Sequence, residues 1–263
     1  MRAAERPGGE IAAAFAMLTQ IPVRTSSRDA TGAAAYGLVG AVVGALGGLV
    51  MIGVGDAVPT LAAVLAVTVM ALVSGAIHLD GLADTTDALL ARDAAQAEIA
   101  RKDPAIGSGG VVTLVLVLAT EVTAVASMAI LPGGSGPKVA ALACIAAGAT
   151  SRALPVIVAL LRGDAVSRVG LGAWFAERVS PVDGLVASLT AVVVAVIAGM
   201  LVGAVAFGAG IAAGAALGLG AGLILVRTRR QVDGDILGAT TELGFASVVG
   251  AVAIAMAMTW PAP

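Results

Sequence analysis

The stretch TLAAVLAVTVMALVSGAIHLDGLADTTDALL, residues 60–90, decides the fold. Its first part, Thr60 to Ile77, is apolar enough to enter a bilayer, where a span takes about 20 residues. Its second part, His78 to Leu90, holds the only histidine of the chain and three aspartates, Asp80, Asp84 and Asp87, with no Lys or Arg before Arg92. On a helix, positions i, i+4 and i+7 share one stripe, and the aspartates have that spacing. Two like charges about 4 Å apart cost on the order of 4 kcal/mol at an effective dielectric near 20. Such a stripe persists if it is solvated, partly protonated or neutralised by a cation. One reading is a solvated acidic helix end just outside a membrane. The other is a Mg²⁺-type site of carboxylate oxygens that holds a phosphorylated substrate. His78 lies about 200° from Asp80 on a continuous helix. It therefore packs away from the stripe, unless the helix breaks near Asp80–Gly81 and brings it round.

The rest of the chain fits a membrane setting. It has 263 residues, 59% apolar and 12% charged, with mean hydropathy +1.02; a soluble domain carries roughly 25% charged residues. We expect an all-α, polytopic membrane bundle of seven spans with an N-terminal interfacial helix, as one domain over residues 1–263. Thirty-five glycines suit close helix packing. A net charge of -2 suggests no nucleic-acid partner. The lone Cys144 sits in an apolar run and cannot form an internal disulfide, so a packing role is expected. The N-terminus does not read as a cleaved signal, because its first apolar patch is short.

Residues 8–22 read as the interfacial helix, with Ile11, Phe15 and Leu18 on one face and Pro22 as the stop. Spans are expected near 33–55, 60–77, 109–131, 139–161 and 243–260. The apolar run 184–226 is too long for one crossing and is read as two helices that turn near Gly208–Gly210. With the N-terminal segment 1–32 in the cytoplasm, segments 80–108, 162–183 and 227–242 face the same side. Of the 15 Lys and Arg residues, only Lys138 falls on the far side and Arg152 within a span, as the positive-inside rule asks. The three polar segments could then meet.

Further candidates lie in those segments. Asp103 follows Arg101 and Lys102 and precedes Pro104, which biases it toward a turn. Gly107, Ser108 and Gly109 open the next span; a Gly/Ser-rich helix start offers unpaired amides for phosphate, although packing explains the glycines equally well. Asp235 and Glu242 share a stripe if one helix carries both. Arg227, Arg229 and Arg230 suit membrane anchoring or phosphate contact. Trp174 and Phe175 mark an interface or line a pocket for a flat ring. Arg152 and Glu121 are costly within spans, and a buried ion pair between them is one solution.

At FAMLTQIPVR (residues 15–24), HLDGLADTTDALL, RKDPAIGSGG, Ser151-Arg152, Gly170-Leu171-Gly172 and GDILGATTEL, the sequence resembles the cobalamin synthase family, the adenosylcobinamide-GDP ribazoletransferases. The likeness covers nearly the whole chain. It departs at Glu121, where a Lys is usual, and at residues 230–233, where similar proteins carry glycines and a Thr or Asn. The resemblance implies a Mg²⁺-dependent transferase in the bacterial inner membrane, with its active site on the cytoplasmic face. It would join adenosylcobinamide-GDP to α-ribazole or its 5′-phosphate, giving adenosylcobalamin or its 5′-phosphate and GMP. The expected catalytic residues are His78, Asp80, Asp84 and Asp87. The expected metal ligands are Asp80, Asp84, Asp87 and Asp103. Arg101, Asp103, Gly107, Ser108, Arg152, Asp235 and Glu242 are expected to bind substrate. Besides these small molecules and the lipid bilayer, the expected partners are other corrinoid nucleotide-loop enzymes or a second copy. Two alternatives fit less well. A CDP-alcohol phosphotransferase expects an Arg and an acidic tail that are missing after Asp80-Gly81, and a secondary transporter expects acids near the bilayer midplane.

Overall fold

A chain this apolar must satisfy its backbone groups internally once in lipid, and helices do so within each segment. The computed structural model describes residues 7–25, 30–91, 105–165 and 170–260. Among them are ten α-helices and no strand. They are α1 (Pro7–Leu18), α2 (Tyr36–Val54), α3 (Pro59–Val73), α4 (Ile77–Leu90), α5 (Ser108–Ala129), α6 (Gly136–Leu160), α7 (Leu171–Arg178), α8 (Pro181–Val202), α9 (Val205–Arg229) and α10 (Gly234–Thr259).

Six helices (α2, α5, α6, α8, α9 and α10) are long and apolar enough to cross a membrane, and α3 with α4 makes a seventh unit bent by 89°. The chain is therefore a polytopic helical membrane protein. The bend corrects the expected straight span 60–77. At 15 residues, α3 reaches roughly 22 Å at 1.5 Å per residue, short of the ~30 Å hydrocarbon core. Two other boundaries move. The long apolar run turns at Gly203, in a left-handed conformation with φ 73°, rather than at 208–210. The last helix starts at Gly234, not 243, because Asp233 caps it by accepting the Ile236 N–H at 2.9 Å.

Helix α6 is the axis: 83% of its apolar window is buried, against 17% for the peripheral α8. Small residues explain its position. A Cβ on Gly40 of α2 would lie 2.1 Å from the Gly148 carbonyl oxygen of α6, so only glycine lets these two backbones touch. Cys144 is wholly buried on the same seam, as a packing residue. On α9, Gly210, Gly214, Gly218 and Gly222 recur every fourth residue against α10.

Hydrogen bonds fix the two ends of the bundle. At one end the Trp260 indole donates to the Pro132 carbonyl (3.1 Å) and Lys138 to the Leu201 carbonyl (3.0 Å). At the other, the Gln20 amide donates to Val73 (2.8 Å) and the Arg229 guanidinium to Ala88, the last turn of α4 (3.1 Å). The starts of α1, α4, α5, α7 and α10 gather at this second end.

Candidate functional site

Gly75 (φ 64°) and Ala76 (φ 55°) turn the chain left-handed between α3 and α4, and α4 then runs across the end of the bundle. The break lies before His78, not near Asp80–Gly81. Residues 78–90 therefore form one uninterrupted helix, and His78 stays on the face opposite the acids, 5% exposed. Asp80 is exposed, and Asp84 and Asp87 are half-buried.

Asp87 has a defined task. Its Oδ2 accepts the Gly107 N–H at 2.8 Å and its Oδ1 the Gly110 N–H at 2.9 Å. A carboxylate at a helix start is stabilised by the unpaired amides and the dipole. At the phosphate seat expected around Gly107 and Ser108, the Asp87 carboxylate takes amides 107 and 110. The glycines there leave room for that carboxylate, since a Cβ on Gly107 would sit 2.4 Å from Asp87 Oδ1.

The acidic helix abuts the start of α10. A Cβ on Gly81 would lie 2.8 Å from the Asp235 carbonyl oxygen. Asp235, half-buried, is therefore a neighbour of the Asp80–Asp84 face although it lies 151–155 positions further along the chain. Helix α7 packs on the same turn, where Gly172 meets the Asp233 backbone.

Behind α4 lies a small space of about 20 Å³, bordered by His78, Glu121, Arg152, Glu242 and Phe245 together with apolar side chains of α3. That is room for about one water molecule. Arg152 donates to the Ser151 hydroxyl at 2.9 Å and stands 5.8 Å from the Phe245 ring centre. Glu121 and Glu242 face the same small space from α5 and α10. Glu121 Oε1 is buried without a partner. Glu121 and Arg152 face this space together without closing a direct ion pair. Arg152 (5% exposed) and Glu242 (9%), both expected to bind substrate, are enclosed among side chains of the bundle and border this space. Arg101 and Asp103 lie outside the described residues.

A larger cleft of about 280 Å³ opens on the other side of His78. Asp235, Thr241, Tyr36 and Phe175 border it. Tyr36 and Phe175 stack, with ring centres 5.4 Å apart and planes 21° from parallel. Sequence reasoning raised Phe175 but missed Tyr36. The available signal was that Tyr36 is the chain's only tyrosine, at the very start of a span.

Among the described residues no three His, Cys, Asp or Glu side chains converge as a ready metal cage. A Mg²⁺ ion needs less: one or two carboxylates, waters and substrate phosphates suffice. Asp80 and Asp84, one turn apart at the aqueous end of the bundle, match that requirement. Asp87, committed to α5, is the poorer donor.

The family described as cobalamin-5-phosphate synthase matches residues 10–253. A Rhizobium johnstonii protein named adenosylcobinamide-GDP ribazoletransferase is 34% identical, over 68% of this chain and 65% of its own length. Proteins of the same name are 33% identical in Citrobacter koseri, over 88% of this chain and 94% of theirs, and 31% in Escherichia coli, over 80% and 82%. No solved structure matches the chain.

Proposed function

This chain belongs to the cobalamin-5-phosphate synthase family, and on that premise we propose that it joins adenosylcobinamide-GDP to α-ribazole or its 5′-phosphate and releases GMP. Neither the family nor the relatives' names point to a CDP-alcohol phosphotransferase or a transporter.

In this reaction an acceptor hydroxyl oxygen bonds to the cobinamide-linked phosphorus. The bond to the bridging oxygen breaks, and GMP leaves with the electron pair. The demands are in-line positioning and neutralised charge on the leaving group. Asp80 and Asp84 would hold Mg²⁺, which supplies that neutralisation when bound. Asp235, across Gly81 from them, orients the attacking hydroxyl. His78, on the inner wall of the same cleft, or a carboxylate of the rim takes the proton. Asp87 keeps α4 and α5 in register, so the stripe faces the substrate.

The site opens at the end of the bundle that carries most of the Lys and Arg, which supports a cytoplasmic active site in the inner membrane. The observation that carries the reading is the seating of the acidic helix on the start of α10 through Gly81. The test mixes purified protein with adenosylcobinamide-GDP, α-ribazole and Mg²⁺. GMP and a complete corrinoid should appear, and Asp84→Asn should lower turnover by about 10²–10³-fold, the usual loss for one electrostatic stabiliser. Unchanged turnover in that variant removes the aspartate stripe from the mechanism.

A further inference from the structure

We propose that the cleft between α1, α4, α7 and α10 is the seat of the acceptor's planar base, with the donor diphosphate held outside it along the Asp80–Asp84 face. This placement rests on the ribazoletransferase reading and locates one of its two substrates.

Size makes the first distinction. At about 280 Å³, the cleft lies at the lower edge of small-molecule pockets, roughly 300–1,000 Å³. A nucleoside base with part of its ribose suits that space. A corrin macrocycle carrying a guanosine diphosphate does not. The bulky donor must stay in the open region beyond the exposed Asp80.

The lining makes the second. Leu18, Ile77 and Leu237 give apolar walls, and the stacked Tyr36–Phe175 pair adds aromatic surface. Aromatic rings attract a further flat ring by offset or edge-to-face contact, worth about 0.5–1.5 kcal/mol beyond area burial. Polar side chains are few: His78, Thr241 and the Tyr36 hydroxyl inside, Asp235 at the α10 start. The Thr241 hydroxyl already donates to the Leu237 carbonyl at 3.0 Å, so it presents an oxygen rather than a free proton. A neutral base of low polarity therefore fits better than guanine, whose edge would leave several donors and acceptors unmatched.

Orientation makes the third. Asp235 borders the cleft and also lies against Gly81 of the acidic helix. A base buried between Phe175 and Leu237 leaves its sugar at Asp235, beside the stripe where phosphorus would sit. The same arrangement holds nucleophile and electrophile on adjoining surfaces.

The test is equilibrium dialysis of labelled α-ribazole against purified full-length protein. Leu237→Trp places a larger ring in the cleft, and Phe175→Leu removes the stacking surface at little change in bulk. Each should weaken α-ribazole binding by about 10–200-fold, the range for a misfit in an apolar pocket. Binding of adenosylcobinamide-GDP to the same preparations should stay within about twofold, which also shows that the variants fold. Unchanged α-ribazole affinity in both variants overturns the placement, as does equal weakening of both ligands or no α-ribazole binding by the wild type. GMP release by the wild type judges the transferase reading separately, so the two can fail independently.

Discussion

The Asp87 carboxylate accepts the Gly107 amide at 2.8 Å, twenty residues along the chain, and so fastens the acidic helix to the start of the next span. Asp87→Ala should lower stability by about 0.5–2 kcal/mol, the cost of a lost helix cap. Asp80→Asn, at an exposed position, should leave stability intact and reduce turnover. Thermal unfolding in detergent beside a GMP-release assay separates the two. A fully stable Asp87→Ala protein would show that the cap does not hold α5.

Gly81 and Asp235 make the second join. A Cβ at Gly81 meets the Asp235 carbonyl oxygen at 2.8 Å and its Cα at 3.1 Å, both backbone atoms that cannot swing aside. Gly81→Val should cost about 1–3 kcal/mol through overpacking. It should also cost about 10²-fold in turnover, since a shift of about 1 Å misaligns reacting groups. Activity falling while Mg²⁺ affinity holds would fit misplacement. Wild-type activity would mean that α4 and α10 need not touch.

Much of this was readable from the residues. Hydropathy marked most crossings, and the spacing of Asp80, Asp84 and Asp87 marked one helix. The 89° bend was not readable, because Ser74-Gly75-Ala76 lies inside an apolar run with no proline or charge to announce it. Insertion cost singled out Arg152 and Glu121 but said nothing of Glu242 as the third member, since α10 starts nine residues earlier than hydropathy alone suggests. The Asp87 cap was hidden for another reason. A carboxylate near a Gly-rich helix start reads as a ligand for metal until the two are seen to bond to each other. The Tyr36–Phe175 pair joins distant segments, which no local pattern encodes.

The enclosed cluster gives a third prediction. Arg152 borders the same small space as Glu121 and Glu242, and a buried charge left without its partner costs about 3–5 kcal/mol. Arg152→Ala should therefore be severely destabilising. Glu121→Gln keeps the shape of the side chain, so its cost should be about 1 kcal/mol, on the order of a single hydrogen bond. Denaturant titration in detergent measures both. Equal stability of Arg152→Ala and wild type would mean that Arg152 is not what balances the two carboxyls.

Sidedness can be read chemically, because the one native cysteine is out of reach. Cys144 is 0% exposed, so an impermeant maleimide should not label the parent protein. Asp56, in the turn between α2 and α3, and Asp164, after α6, are both exposed and lie at opposite ends of the bundle. If the acidic helix faces the cytoplasm, Asp164→Cys should be labelled in inside-out vesicles and protected in intact spheroplasts, while Asp56→Cys shows the reverse. The charge distribution makes this the favoured orientation, as Lys138 is the one Lys or Arg among the described residues at the Asp56 end. Labelling of Asp56→Cys from the cytoplasmic side would invert the protein and place Asp80 and Asp84 where cytoplasmic nucleotide substrates cannot reach them.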